Sequence, residues 1–223
     1  MISIKQFQRH LGGYLFLCLL LSSCYNAPTR TATSTTVAEW SDLPPPTPPS
    51  TLPELIDVLL GPNDEARIGA ALTLGNMGPS AIEAVPALTQ NLYYRNDEVS
   101  RYAAQALGKI GPGAAPAVPN LIVLLLSDSS VHSRREAAEA LGKIGDASAV
   151  PALAQGLNDE DKGVGIECAK SIAVLTGQQF PDMNSTGYSL DENGIPLIVS
   201  SAKKWWTEEG QDKSWVSSNG TTP

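Results

Sequence analysis

The sequence predicts an all-α protein: an α-solenoid of short helical hairpins with an N-terminal half-repeat and a C-terminal capping helix. Two periodic signals predict it. AAQALGKIG at positions 103–111 returns as AAEALGKIG at positions 137–145, and ARIGAALTLGNMG at positions 66–78 ends in the same way one step upstream. A second mark keeps the same step: Leu52-Pro53-Glu54-Leu55, Val85-Pro86-Ala87-Leu88, Val118-Pro119-Asn120-Leu121 and Val150-Pro151-Ala152-Leu153 recur with a spacing constant to within one position. Two unrelated marks sharing one period, of about 33 residues, specify a repeat array.

Each unit reads as two helices. In the first, Val99, Ala103, Ala104, Leu107 and Ile110, and then Ala137, Ala138, Leu141 and Ile144, recur at helical spacing. Alanine dominates this stripe because it lets helices approach closely and costs little side-chain entropy to order. Paired glycines are expected to stop the helix: Gly75 and Gly78, Gly108 and Gly111, Gly142 and Gly145. In the fourth unit Ala173 stands where the first glycine stood. Proline opens the second helix, where its missing N–H would lack a partner anyway. Leu55/Leu59, Leu88/Leu92, Leu121/Leu125 and Leu153/Leu157 are then core pairs. One hairpin cannot bury its apolar face alone, so the units must stack.

The pattern A-A-x-A-L-G-x-I-G followed by A-V-P-x-L resembles HEAT repeats, and its short unit is similar to the subclass named after phycobilin lyases. It is clear in the units that begin near Asp64, Asp97 and Ser130 and decayed in the fourth. The resemblance covers a little over half of the chain. It implies the fold and leaves the function open, because such solenoids serve many tasks.

Residues 1–23 read as a lipoprotein signal peptide. Lys5 and Arg9 precede an apolar run from Leu11 to Leu21. A membrane-crossing helix needs roughly 20 residues, so this shorter run is the apolar centre of a leader. It ends in Leu21-Ser22-Ser23-Cys24, which resembles the lipobox of bacterial lipoproteins and implies acylation of Cys24 as the new N-terminus. Tyr25 rather than aspartate follows, which by the same resemblance does not mark the protein for inner-membrane retention. Residues 24–50, rich in Thr, Ser and Pro, read as a disordered tether. The solenoid spans 51–177, where 51–60 matches only a second helix and forms the half-repeat. A turn-rich loop and a helix over about 195–208, carrying Ile195, Leu197, Ile198, Ala202, Trp205 and Trp206, make up the 178–210 cap. Many HEAT-like proteins end in a similar helix with paired tryptophans. Residues 211–223 read as a disordered tail.

Charge narrows the partners. The 15 basic residues less Lys5 and Arg9 leave 13 against 23 acidic ones in the mature chain, a side-chain charge of −10. With no basic stripe, nucleic acid is a poor partner, since phosphate neutralisation dominates that affinity. Anionic lipid would repel the chain, so acylated Cys24 must hold it to the bilayer. Cys168 aligns with Ala70, Ala103 and Ala137 and reads as a buried alanine substitute. His132 reads as an exposed residue at a helix start. No catalytic, cofactor or metal site is expected. Asp182-x-Asn184-x-Thr186-Gly187 has the spacing that opens a calcium loop, but its twelfth position is Asn193 rather than glutamate, and the bland reading is a turn-rich connection.

What remains is surface. Asp57, Gln90, Val123 and Gln155 share one open position of the second helices, with Glu54, Ala87, Asn120 and Ala152 beside them. In HEAT-like solenoids the second helices line the concave side, so Gln90, Asn120, Val123 and Gln155 are expected to form a smooth concave face for a protein or peptide. The first helices, with Arg101, Arg134, Arg135, Glu136 and Glu139, read as a mostly solvated charged face. The expected function is a membrane-anchored, extracytoplasmic, non-enzymatic binding scaffold. A bilin lyase or chromophore-handling protein, implied by the repeat subclass, is the alternative; export and the lack of clustered Cys, His or Asp in the repeats weigh against it.

Overall fold

A computed structural model describes residues 51–183 and 189–215 of the chain. The leader, Cys24, the tether and the end of the tail lie outside the described residues, as do Asn184, Thr186 and Gly187 of the calcium-like stretch. The helices in order are α1 (Leu52–Leu60), α2 (Asp64–Met77), α3 (Val85–Asn91), α4 (Asp97–Ile110), α5 (Val118–Ser127), α6 (Val131–Ile144), α7 (Val150–Gly156), α8 (Lys162–Thr176) and α9 (Leu197–Trp205). They form an α-solenoid. Two rows run along it: an alanine-rich row of α2, α4, α6 and α8, and a proline-led row of α1, α3, α5 and α7.

Local chemistry repeats with the period. Asn63, Asn96, Ser130 and Asp161 each cap an alanine-rich helix, their side-chain oxygens accepting from Ala66, Glu98, Ser133 and Val164 N–H at 3.0, 3.0, 3.4 and 3.1 Å. Pro53, Pro86, Pro119 and Pro151 sit in the first turn of the proline-led helices. The leucine pairs of that row are buried, as are the register leucines Leu74, Leu107 and Leu141.

The paired glycines divide their labour. The second of each pair ends the helix, with Gly78, Gly111 and Gly145 at φ 58°, 74° and 83°, and Gly177 ends α8 in the same way at 73°. The first does not stop anything. Gly75, Gly108 and Gly142 lie inside their helices, where the next alanine-rich helix approaches too closely for a side chain. A Cβ on Gly108 would lie 2.9 Å from the Cα of Ala140, one on Gly75 would lie 3.1 Å from the Cα of Ala106, and one on Gly142 would lie 2.8 Å from the Cβ of Ser171. Sequence reasoning assigned both glycines one role because a helix stop and a close approach call for the same residue.

Packing also offsets the units by one helix from the division that the glycines suggest. Each proline-led helix packs on the alanine-rich helix that follows it, α1 on α2, α3 on α4, α5 on α6 and α7 on α8. The half-repeat α1 thereby covers α2. Short 3-10 segments, Gly78–Ala84, Gly111–Ala117 and Ala147–Ala149, join one pair to the next. By length and composition alone the run Asp97–Ser127, with an 18-residue window of mean hydropathy 1.6, is apolar enough to cross a membrane. It is instead α4 and α5, separated at Gly111 and assigned to neighbouring pairs of the stack.

The two rows are not spaced alike. Successive alanine-rich helices lie against one another extensively, whereas successive proline-led helices touch sparsely.

The last repeat is closed by α9, whose Ile198, Val199 and Ala202 are buried. The chain then passes through a π-helical turn, Trp206–Gly210, to Trp215. Trp205 packs edge-on against Phe180 and Trp215 at centroid distances of 6.2 and 6.1 Å, and the Trp215 indole N–H donates to the Gly210 carbonyl at 3.0 Å. Trp215 thus belongs to the cap.

The glycine contacts yield a signed prediction. Alanine in a helix is favoured over glycine by roughly 0.8–1.0 kcal/mol, but forcing a Cβ into a full interface costs about 1–3 kcal/mol. At Gly108 the obstacle is backbone, so Gly108→Ala should destabilise by about 1 kcal/mol net, read as a lower urea midpoint at unchanged m-value. Gly75→Ala, with more room, should cost less.

Candidate functional site

Of the four residues expected to form a binding face, Gln90, Val123 and Gln155 are exposed on the proline-led row and Asn120 is half-buried. The Asn120 carbonyl accepts a hydrogen bond from the Tyr93 hydroxyl at 3.3 Å, tying α5 to the end of α3. Ala87 and Ala152, expected beside the open position, are instead buried. They turn into the packed hairpins.

The face is more apolar than those four residues suggest. Leu60, Tyr93 and Leu126, together with Val123, are between 43% and 54% exposed. Leu60, Tyr93 and Leu126 stand at one repeat position in successive units, with Asn158 next in the row. The period was the signal that could have found them. They were missed because leucine in an amphipathic repeat is assigned to the core by default.

Two cavities open between α3 and α5. At the N-terminal ends of these helices a cavity of about 500 Å³ opens among Ile82, Val85, Pro86, Thr89, Gly113 and Pro116. At their C-terminal ends one of about 360 Å³ lies among Leu92, Tyr93, Tyr94, Leu124, Ser127, Asp128 and Ser129.

The alanine-rich row carries paired charges: Lys143–Glu139 at 2.6 Å, Lys170–Glu167 at 3.1 Å, Arg135–Glu167 at 3.4 Å and Arg101–Glu98 at 3.9 Å. Burial pushes the half-buried Glu136 carboxyl above its ordinary value, and neighbouring Glu139 adds to the shift. Most of this row is a solvated face, as expected.

Arg134 is the exception. Its side chain is buried, with Nε and Nη2 donating to the two carboxylate oxygens of Asp159 at 2.8 and 2.9 Å and Nη1 donating to the Asp128 carbonyl at 3.0 Å. The hydrogen bond to Asp159 raises the guanidinium pKa. Burial pushes Asp159 up, but its bonds from Arg134 and the Asp161 N–H outweigh that and hold it below its usual value. Arg67, which precedes Gly75 by the same interval as Arg134 precedes Gly142, plays the same part at the first junction. It donates to the carbonyls of Leu59 and Gly61 and to the Asn91 side chain at 2.6, 2.7 and 2.6 Å, and stacks over Tyr94 at 4.2 Å. The reading of Arg134 as an open surface charge is corrected: it is a clasp between repeats.

Cys168 is fully buried, and burial pushes its thiol up. Its extra volume over alanine is matched by Gly156, where a Cβ would lie 2.6 Å from Sγ. His132 is exposed. In the calcium-like stretch the Asp182 carboxylate accepts from Ser189 N–H at 2.8 Å, and Asp191 accepts from both Asn193 and Ile195 N–H at 2.9 Å. The bond from Ile195 leads in holding Asp191 below its ordinary value. Both carboxylates serve turns. Among the described residues no group of three or more His, Cys, Asp or Glu is arranged to hold a metal ion.

Comparison with known proteins bears on the repeat. The family model for HEAT repeats matches residues 52–129 and, overlapping, 85–173. Among solved structures, human deoxyhypusine hydroxylase in complex with glycerol is similar at 26% identity and a TM-score of 0.51, over 60% of this chain and 46% of that one. The chain thus spans about half the length of the hydroxylase. An engineered protein is similar at 21% identity and a TM-score of 0.50, over 72% of this chain and 75% of that one. The CpcE–CpcF complex of phycocyanin lyase from Nostoc has 26% identity and a TM-score of 0.47, over 57% and 53%. No curated protein matches the chain.

The Arg134 clasp gives a pH-dependent prediction. Removing one partner of a buried pair costs about 3–5 kcal/mol, so Arg134→Met should lose roughly that much at pH 7. Asp159 is depressed in the folded state, so its stabilisation is present above the unfolded carboxylate pKa and lost as pH falls through the folded value. The gap between variant and wild type in urea titrations should narrow toward acid. A gap independent of pH would remove Asp159 from the account.

Proposed function

The chain belongs to the family of HEAT repeats, and from that premise we propose that it is a membrane-anchored, extracytoplasmic binding scaffold without catalytic activity. Its proline-led, second-helix face meets a protein or peptide partner. The observation that carries the proposal is the row of exposed Leu60, Tyr93 and Leu126, with Val123 beside it, repeated along one face of the stack. Exposed apolar groups at regular spacing suit a partner that covers several repeats. Gln90, Asn120 and Gln155 would supply hydrogen bonds among them.

A binding role also fits the electrostatics. Arg134, Asp159 and Asp191, whose pKa values are shifted, are engaged in holding turns and junctions, and Cys168 fills the core. Attachment to the bilayer is assigned to acylated Cys24, after removal of residues 1–23. Each buried acyl methylene contributes about 0.8 kcal/mol, so more than one chain is needed for stable anchoring. The side-chain charge of −10 supports a lipid-borne anchor over an electrostatic one and disfavours nucleic acid.

Two experiments test the proposal. Cys24→Ala should leave the precursor unprocessed or release the mature chain from sedimented membranes; an unmodified N-terminus elsewhere with normal attachment would defeat the anchor. In crosslinking capture from membranes, Val123→Glu should fold normally by circular dichroism and lose the partner. Arg135→Glu, on the opposite row, should keep it. The reverse outcome would move the binding face to the alanine-rich row.

A further inference from the structure

One position inside the alanine-rich helices keeps strict register with their caps: Arg67 after Asn63, Ser100 after Asn96, Arg134 after Ser130 and Gly165 after Asp161. Two of these are the arginine clasps. Ser100 is short, and its hydroxyl donates to the Asp97 carbonyl at 3.0 Å and meets Ser133 at 3.3 Å. Gly165 brings no side chain, and beside it a cavity of about 250 Å³ opens among Leu157, Asn158, Glu160, Ile195 and Val199.

The acceptor that Arg67 holds is repeated at this cavity. Leu157 matches Leu59 in the leucine pairs, and it precedes Gly165 by the interval that separates Leu59 from Arg67. The Leu59 carbonyl takes Arg67 Nη1 at 2.6 Å and the Asn91 amide at 3.2 Å. Leu157 is buried too, and a Cβ on Gly165 would lie 3.5 Å from its carbonyl oxygen. Among the described residues no side chain donates to that oxygen. A backbone carbonyl is an obligatory acceptor, and one that faces a cavity is met by the donor that enters. Charges around the cavity are mixed: Asp159, Glu160 and Asp161 stand with Lys162 and Lys203. Arg134 grips Asp159, Asp161 caps α8, and Lys162 donates to the Gly194 carbonyl at 3.0 Å. Net charge therefore does not choose the occupant. The repeat does.

Resting on the reading of the chain as a binding scaffold, we infer that this cavity is a guanidinium site. It takes an arginine side chain of the partner protein where the first and third junctions use arginines of their own. The incoming guanidinium donates to the Leu157 carbonyl as Arg67 donates to Leu59, and its stem lies against Ile195 and Val199. The exposed Glu160 carboxylate closes over it. Arginine suits the site better than lysine, because a planar group donates to a carbonyl and a carboxylate along separate edges while an ammonium acts as a point charge. Asn158, next in the row after Leu126, lines the cavity, so the site adjoins the apolar face.

The test uses the full-length protein in phosphatidylcholine nanodiscs and two fluorescein-labelled peptides, Gly-Leu-Arg-Leu-Gly and Gly-Leu-Lys-Leu-Gly. Fluorescence anisotropy should show the arginine peptide binding at least about tenfold tighter than the lysine peptide, the worth of one hydrogen bond from a charged donor. Gly165→Arg supplies the clasp from within. Circular dichroism should report it folded, and its binding of the arginine peptide should fall to the level of the lysine peptide on wild type. Gly69→Arg is the control: Gly69 lies in α2 with open space around its Cβ position, and the variant should bind as wild type does. Equal binding of the two peptides, or binding of neither, overturns the inference. So does wild-type binding by folded Gly165→Arg, or an equal loss in Gly69→Arg. If Gly165→Arg does not fold, the two peptides on wild type decide alone. If the arginine preference is absent while Val123→Glu still loses the membrane-captured partner, only this inference falls. If the preference holds while Val123→Glu keeps that partner, the guanidinium site stands and the proposed face is wrong.

Discussion

The close approach of consecutive alanine-rich helices governs the rest of the structure. Gly75, Gly108 and Gly142 present bare backbone to Ala106, Ala140 and Ser171, and no larger residue would let the helices meet at that distance. Buried hydrogen bonds follow the same contact. Ser171 donates to the Ala138 carbonyl at 2.8 Å, and Ser100 and Ser133 bond each other at 3.3 Å. The proline-led helices carry leucine and valine instead and touch one another sparsely.

Junctions between repeats are held by a different force. The end of a proline-led helix leaves carbonyls without partners, and Arg67 satisfies those of Leu59 and Gly61. Arg134 does the same in the loop after α5, then grips Asp159 beyond the next helix. Arginine suits both sites because one planar group can donate along several edges at once. Nearest-neighbour ties of this kind make the stability of a solenoid a sum over its interfaces.

The ends need separate treatment, since a repeat array exposes core wherever it stops. At the start α1 covers α2. At the finish α9 and the aromatic group of Phe180, Trp205, Trp206 and Trp215 cover the last repeat, and Lys213 lies 5.4 Å from the Trp205 ring. The aromatic group closes the stack without another unit.

Much of this was legible in the chain. Period and apolar spacing determined the solenoid, the buried leucine pairs, the helix stops and the core place of Cys168, because hydrophobic burial and glycine geometry act within a unit and recur with it. The candidate face was legible in part. Gln90, Val123 and Gln155 are open as expected, but Ala87 and Ala152 are buried, and Leu60, Tyr93 and Leu126 join the surface unannounced. Only the tertiary structure decided that Arg134 is a clasp and that one glycine of each pair serves packing. Those facts depend on contacts between successive units, where spacing along one helix carries no information about how closely the next will lie.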